Sequence, residues 1–480
     1  MKSIVLAVAA SLFVIQLLAQ PDLLVTSPLI VADDYGNHHP QIEITNDGRA
    51  NVSWTDHSSE SAYFAKHNGV DGFNDPVKLN PEGLGVASYS WSGPDFSIEG
   101  SNVYAVFRAT NFQSYLVKST DNGLTFGDTV RIASEPALYP FYPDVAVLND
   151  TVYATFMNHL DDAGSSPNYV FSRSVDGGES FESFVLASDI MSENVCDCCP
   201  PEILVNDTYV IIFFRDNVDN IRDIKAVISY DRGETFTDWI SVDDHGWEIN
   251  SCPSTGPDAR FIDEDRIITT YKSVVDGDTK VFANIYNLAT DVSEEIIDIQ
   301  DAATDNVLLN YPQINIADDQ VGIVWEAIGD GTSVDVFFNH SSASSISFNP
   351  ENALNLTSVS GVQSKPDVAI ASGIYHIVYA ESTDGNLYYL QVGEPNAIQE
   401  ADQDKLQLMV YPNPVQDAFI IQNAVPNETS TVTIRNLQGQ IIWSGNIVES
   451  VQVSAKNWPK GVYFVHAESN HKSFTTKLIK

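Results

Sequence analysis

Apolar and polar positions alternate along most of this 480-residue chain in short runs. That is the pattern of half-buried strands, because successive strand side chains point to opposite faces. The runs are organised by a recurring step, a proline followed by an acid or an amide. It occurs at Pro40-Gln41, Pro94-Asp95, Pro143-Asp144, Pro201-Glu202, Pro257-Asp258, Pro312-Gln313 and Pro366-Asp367, at intervals of 54, 49, 58, 56, 55 and 54 residues. Each step opens an alternating run and leads to a polar turn, such as Asn46-Asp47-Gly48 or Asp318-Asp319. A second run follows, carrying an aromatic 13 or 14 residues past the proline: Trp54, Phe107, Phe156, Phe214, Tyr271, Trp325 and Tyr379. Strand–turn–strand units at one long period predict an all-β fold, a β-propeller whose units each have room for four antiparallel strands.

The last unit has room for only three strands between Pro366 and Val392, while Leu23 to Val31 reads as a strand without a hairpin partner. The ring is expected to close by lending that N-terminal strand to the last blade, which removes exposed edges. Seven blades are expected; six is the alternative if one repeat is irregular.

Three units also carry Ser-x-Asp-x-Gly-x-Thr/Ser-Phe: Ser119 to Phe126, Ser174 to Phe181 and Ser229 to Phe236, 55 residues apart both times. The aspartate can accept backbone N–H groups across a tight turn, and the glycine permits positive φ. The octapeptide resembles the Asp-box, or BNR repeat, of sialidases and related propellers, and the resemblance covers roughly residues 24–395. It implies a hairpin staple between third and fourth strands, remote from the catalytic face. Asp121, Gly123, Asp176, Gly178, Asp231 and Gly233 are therefore expected to be structural.

The two ends differ from the middle. Residues 1–19 combine a basic start with a short apolar run and a small residue at Ala19, the pattern of a secretory signal peptide. Residues 20–395 hold the propeller, 396–404 form a polar linker, and 405–480 a small C-terminal β-sandwich. In the last segment Tyr411-Pro412-Asn413-Pro414, Asn436-Leu437-Gln438-Gly439, Gly461-Val462-Tyr463-Phe464-Val465 and a basic final strand occur in order. This set resembles the C-terminal sorting domain of the type IX secretion system of Bacteroidetes; a carbohydrate-binding sandwich module is the alternative. The resemblance implies type IX secretion machinery as partner, passage through the outer membrane, removal of the tail, and a secreted or cell-surface product.

Charge sharpens this picture. The net charge is −41, with 24 Lys+Arg against 65 Asp+Glu. Residues 405–480 hold seven basic and four acidic side chains; the preceding 404 hold seventeen and sixty-one. Such a surface argues against a nucleic-acid partner, whose phosphates require basic side chains, and against a polybasic membrane-surface protein. Beyond the signal no apolar run is long enough to cross a bilayer, so no transmembrane segment is expected in the mature chain.

Four cysteines lie at Cys196, Cys198, Cys199 and Cys252, in loops leading into neighbouring blades. In an exported protein they are expected to form disulfides, one of them from Cys252 to the 196–199 group. The alternative is a soft-metal site for Cu(I) or Zn(II). Asp-rich turns such as Asp263-Glu264-Asp265 are candidates for Ca²⁺, although turn chemistry accounts for them more simply. No motif demands another cofactor.

Propeller topology gathers the loops leading into first strands and the ends of second strands on one face. Arg108, Arg215, Arg222, His39 and Lys272 fall there as candidate ligands for an anionic substrate, because guanidinium groups grip carboxylates bidentately. The sialidase resemblance implies three arginines on the substrate carboxylate, a Tyr nucleophile assisted by Glu, and an Asp acid. By position these become Tyr142 or Tyr311, Glu326, and Asp56 or Asp223. The Phe/Tyr-Arg-Ile-Pro step of that family is absent; the matching stretch reads His38-His39-Pro40-Gln41-Ile42. Two functions are expected to compete: a glycoside hydrolase acting on acidic extracellular glycans, and a non-catalytic surface propeller that binds glycan, protein or metal.

Overall fold

The structure is a computed structural model. It describes residues 23–33, 37–89, 91–133, 139–159, 167–191, 194–300, 309–328, 333–357, 360–394, 408–411, 415, 418–423, 429–436, 439–448, 450–469 and 472–480. The signal peptide, the linker, the Pro-Asn-Pro step at 412–414 and positions 437–438 lie outside the described residues.

Seven antiparallel sheets precede residue 394. Their first strands are Asn37–Ile44, Asp95–Glu99, Tyr139–Leu148, Glu202–Val205, Asp258–Phe261, Leu309–Ala317 and Gln363–Ala371. Each begins at or near one of the repeated proline steps. These first strands touch their neighbours in cyclic order, the seventh returning to the first. Six of the sheets are four-stranded meanders. The seventh has three strands of its own, and its outer strand Asn386–Gly393 pairs with Leu24–Val25 and Leu29–Asp33, with Leu24 opposite Gly393 and Leu29 opposite Tyr389. The N-terminal strand thus closes the ring as the chain pattern predicts.

The repeated aromatics are what hold sheet to sheet. Trp54, Phe107, Phe156, Phe214, Tyr271, Trp325 and Tyr379 are all buried. Trp54 of the first sheet packs with Val378 and Tyr389 of the seventh. Fully burying one such side chain contributes about 1.5–3 kcal/mol.

The Asp-boxes join third to fourth strands. Asp176 accepts the Ser174 hydroxyl at 2.6 Å, the Ser180 amide at 2.9 Å and the Ser180 hydroxyl at 2.5 Å. Asp121 and Asp231 repeat these bonds. Gly123, Gly178 and Gly233 have φ of +81°, +92° and +84°. Each also presses on the preceding sheet: a Cβ on Gly233 would lie 2.2 Å from the Phe171 ring, one on Gly123 2.2 Å from Phe64, and one on Gly178 2.7 Å from Leu116.

Residues 408–480 form two further sheets, one of Leu408–Tyr411, Ala418–Asn423 and Ser450–Ser454, the other of Ile441–Ile447, Ser430–Asn436, Val462–Ser469 and Lys472–Ile479. Phe419, Ile421 and Val453 from the first pack with Val432, Ile434, Val465 and Leu478 from the second, as in a sandwich. Among the described residues no helix is long and apolar enough to cross a membrane.

Candidate functional site at the channel mouth

The proline steps build the site. In four sheets the ladder between first and second strand slips at this step: between His38 and Gln41, Phe141 and Asp144, Asn310 and Gln313, and Ser364 and Asp367. The residue before the proline sits in the left-handed region, with φ of +48° for His39, +53° for Tyr142, +46° for Tyr311 and +53° for Lys365. Non-glycine residues rarely adopt this conformation, and such strain concentrates at functional sites.

His39, Tyr142 and Tyr311 line a central cavity of about 290 Å³. The residue after the proline lines it too, as Gln41, Asp95, Asp144, Glu202, Asp258, Gln313 and Asp367, joined by Glu43 and Arg260. Arg260 bonds Asp258 at 2.5 Å and Glu202 at 2.9 Å. One cation cannot balance so many acids. Burial pushes Glu43 and Asp144 up to about 7 and holds Asp95, Glu202 and Asp367 well above the usual carboxylate range. The sequence carries this ring openly, as an acid or amide after the proline in every repeat, but there it reads only as a repeat marker.

The three arginines do not form a clamp. Arg215 is fully buried and donates to the carbonyls of Thr255 (2.8 Å), Arg222 (2.7 Å) and Lys272 (2.6 Å). It braces two loops and the strand Arg266–Val275, and none of its side chain is exposed. Arg108 donates to the Pro140 carbonyl at 2.9 Å and the Tyr89 hydroxyl at 2.5 Å, with its guanidinium carbon 3.8 Å from the Phe141 ring centroid. Arg222 is buried beside the cysteine loop, and its Nε and Nη1 find no hydrogen-bond partner among the described residues.

The candidate acids divide. Asp56 caps a turn, accepting from the Ser58 amide at 2.8 Å and from the Ser58 and Ser59 hydroxyls at 2.6 and 2.5 Å. These bonds, working against burial, hold its carboxyl below the ordinary value, which is the wrong direction for a proton donor. Asp223 is raised by burial and by Asp243, yet it accepts from the amides of Gly246 and Trp247.

A tighter group forms around Tyr311. Lys272 Nζ lies 3.4 Å from Asn310 Oδ1, and Asn310 stands directly opposite Glu326 in the ladder, one residue before Tyr311. Glu326 accepts the Lys365 amide at 3.0 Å. Burial raises the Glu326 carboxyl, and burial together with the Glu326 charge raises the Tyr311 hydroxyl. Burial, then the neighbouring Arg215, lowers Lys272 to about 8. The His39 ring meets Tyr311 edge-on at 5.7 Å, and Trp247 lies 5.4 Å from Lys272 Nζ. Asn310, Lys365 and Trp247 carry no motif, so the chain pattern does not single them out. Tyr142 stands apart, packed edge-on against Tyr89, its hydroxyl raised by burial.

The cysteine loop reaches the same mouth. Cys198 and Cys252 form a disulfide that ties the loop before the fourth sheet to the loop before the fifth. Cys196 and Cys199 are buried thiols with sulfurs 2.8 Å apart, and Cys196 Sγ lies 3.6 Å from Cys198 Sγ. The Tyr169 hydroxyl donates to the Cys199 carbonyl at 2.9 Å. The bond to Cys199, with Arg222 and Arg215 nearby, pulls the Cys196 thiol down, while burial pushes Cys199 up. The Asp263-Glu264-Asp265 turn is organised internally, by Asp263 accepting from the Asp265 and Arg266 amides and the Arg266 guanidinium.

The chain is similar to a polysaccharide lyase, an ulvan lyase solved bound to -[GlcA(1-4)Rha3S]-, at 13% identity and a TM-score of 0.50, covering 77% of this chain and 96% of that one. It is also similar to an α-L-arabinofuranosidase of Fusarium graminearum (13% identity, 78% and 98% covered, TM-score 0.42) and to a sialidase of Streptococcus pneumoniae (12%, 79% and 71%, 0.40). At 13% identity the likeness to the lyase is one of fold alone. No curated protein matches the chain. Residues 409–480 match the secretion system C-terminal sorting domain. The chain therefore ends in a type IX sorting domain, which directs it to the cell surface or the extracellular space.

Proposed function

We propose that this chain is an exported propeller that engages acidic glycans at the channel mouth and hydrolyses them there. The observation that supports the reading is the placement of Asn310, which meets Lys272 Nζ at 3.4 Å, stands opposite Glu326 in the ladder and directly precedes Tyr311. Tyr311 is the nucleophile in this proposal. Glu326 assists by taking its proton, and Lys272 supplies the positive charge that a glycan carboxylate needs in a strongly acidic chain. The His39 ring meets the Tyr311 ring edge-on at 5.7 Å.

A binding-only role is favoured by a different observation, the engagement of Arg215 by three carbonyls, which removes the carboxylate clamp expected from the sialidase resemblance. One experiment separates the two. The folded chain is assayed on fluorogenic sialosides and uronides and, in parallel, for binding to acidic oligosaccharides. Turnover that vanishes in Tyr311→Phe while binding persists supports hydrolysis. Binding that needs Lys272, without turnover, supports the binding role. Neither activity on any acidic glycan overturns both.

A further inference from the structure

We propose that Cys196 and Cys199 form a buried dithiol that exchanges with the Cys198–Cys252 disulfide, so that the chain passes between two disulfide isomers without an outside oxidant. Cys196 Sγ lies 3.6 Å from Cys198 Sγ, one half of the disulfide, and 2.8 Å from Cys199 Sγ. Exchange needs an attacking sulfur, a disulfide within its reach, and a second thiol that resolves the mixed disulfide. Cys196-Asp197-Cys198-Cys199 supplies all three within four residues.

Cys196 is the attacking sulfur. It opens a Cys-x-x-Cys step with Cys199, a spacing that favours the thiolate. The bond to Cys199 pulls its thiol down against its own burial, with Arg222 and Arg215 adding to the effect, while burial pushes Cys199 up. The backbone fixes both sulfurs: the Cys196 amide donates to the Arg215 carbonyl, and the Tyr169 hydroxyl to the Cys199 carbonyl, each at 2.9 Å. On the far side Cys252 is exposed, and the Ser254 hydroxyl donates to its sulfur at 3.1 Å. Such a bond favours the charged form of a departing thiolate.

The electrons balance within the chain. Cys196 gives up its proton and attacks Cys198. A Cys196–Cys198 bond forms as the Cys198–Cys252 bond breaks, and Cys252 leaves with the electron pair and takes up a proton. Cys199 then loses its proton, attacks Cys196 and displaces Cys198 as the second thiol. One dithiol is oxidised by two electrons and one disulfide reduced by two. A sulfur–sulfur bond is about 2.05 Å long, so the Cys196 and Cys199 sulfurs have less than about 1 Å left to travel. The product differs mechanically. Cys198–Cys252 ties the loop before the fourth sheet to the loop before the fifth, whereas Cys196–Cys199 lies within one loop. Exchange unties two neighbouring sheets at the channel mouth and leaves Cys252 as a surface thiol.

The test uses the full chain, purified without reductant and kept anaerobic, so that exchange alone changes the pairing. A maleimide is added, and non-reducing peptide mapping follows label and disulfides with time. Label at Cys198 and Cys252 together with a new Cys196–Cys199 bond is expected. Cys196→Ser should abolish labelling of Cys252. Cys199→Ser, which lacks the resolving thiol, should stop at a Cys196–Cys198 bond with label at Cys252. The map of the unsubstituted chain does not depend on any variant folding. Label at Cys196 and Cys199 with Cys198–Cys252 intact overturns the proposal, as does the absence of label at Cys252. So does a freshly exported chain that already carries both disulfides, since it has no thiol left to attack.

Discussion

The carboxylate of Asp367 accepts a 2.7 Å hydrogen bond from the amide of Ile42, 325 positions earlier in the chain. The same bond recurs where Asp144 accepts from Ile203 and Asp258 from Ile314, each at 2.6 Å. The acid after the proline thus stitches one sheet to the next, and at Asp367 it closes the ring. Asp367→Ala should leave the Ile42 amide buried and unsatisfied, at a cost of about 1–3 kcal/mol. Asp367→Asn, which keeps an acceptor, should cost less. Denaturant unfolding of the two variants checks the order; equal losses would mean that the bond to Ile42 is not the source.

Stability should depend on the channel acids in a definite direction. Glu43 titrates near 7 in the folded chain because burial raises it from 4.5. Between those values the folded state keeps a proton that the unfolded state has lost, so its contribution falls as pH rises from 4.5 to 7. His38 opposes this, since burial lowers it to about 4, so the variant comparison is the cleaner test. Glu43→Gln, which stays neutral throughout, should gain in melting temperature relative to the parent as pH is raised from 5 to 7.5. A difference independent of pH would refute the assignment.

The Asp-box glycines should tolerate no side chain. Gly233→Ala combines a left-handed φ of +84° with a Cβ 2.2 Å from the Phe171 ring, so a loss of about 2–4 kcal/mol is expected. Gly48, at φ +72° with nothing within 4 Å, should lose only about 1–2 kcal/mol on the same change. Thermal melts of both variants decide whether packing or backbone dominates.

Arg215 and Lys272 should separate fold from function. Arg215→Met strands the Thr255 and Arg222 carbonyls, both buried, and the half-buried Lys272 carbonyl, and should destabilise by about 2–4 kcal/mol. Lys272→Ala should melt near the parent temperature while losing affinity for acidic oligosaccharides. Should Arg215→Met melt normally and lose only binding, Arg215 would be a ligand after all.

The fold was legible because its signals are periodic: one proline step and one aromatic per sheet, three Asp-boxes in phase, and a leftover strand at the front that matches a gap at the end. The site was only partly legible. Arg215 looked like a free cation because its partners are carbonyls 40, 7 and 57 positions away, and carbonyls have no side-chain signature. Asp56 looked like an acid until its neighbours Ser58 and Ser59 proved to occupy its oxygens. The sequence places Tyr311 and Glu326 on the candidate face, but Asn310, which meets Lys272 and stands opposite Glu326, is an unremarkable residue that only the slipped ladder brings into place. Lys365 was missed because its importance lies in a backbone angle.

That angle has an evolutionary meaning. His39, Tyr142, Tyr311 and Lys365 are chemically unrelated, yet each hangs from the same left-handed hook ahead of a proline. The hook belongs to the main chain, so the side chain it displays is interchangeable. A lineage that exchanged tyrosine for lysine or histidine at one hook would alter the reactivity of the mouth and leave every strand pairing intact. The ring of sheets is, in this sense, a socket board, on which a few positions can be refilled without repacking the rest.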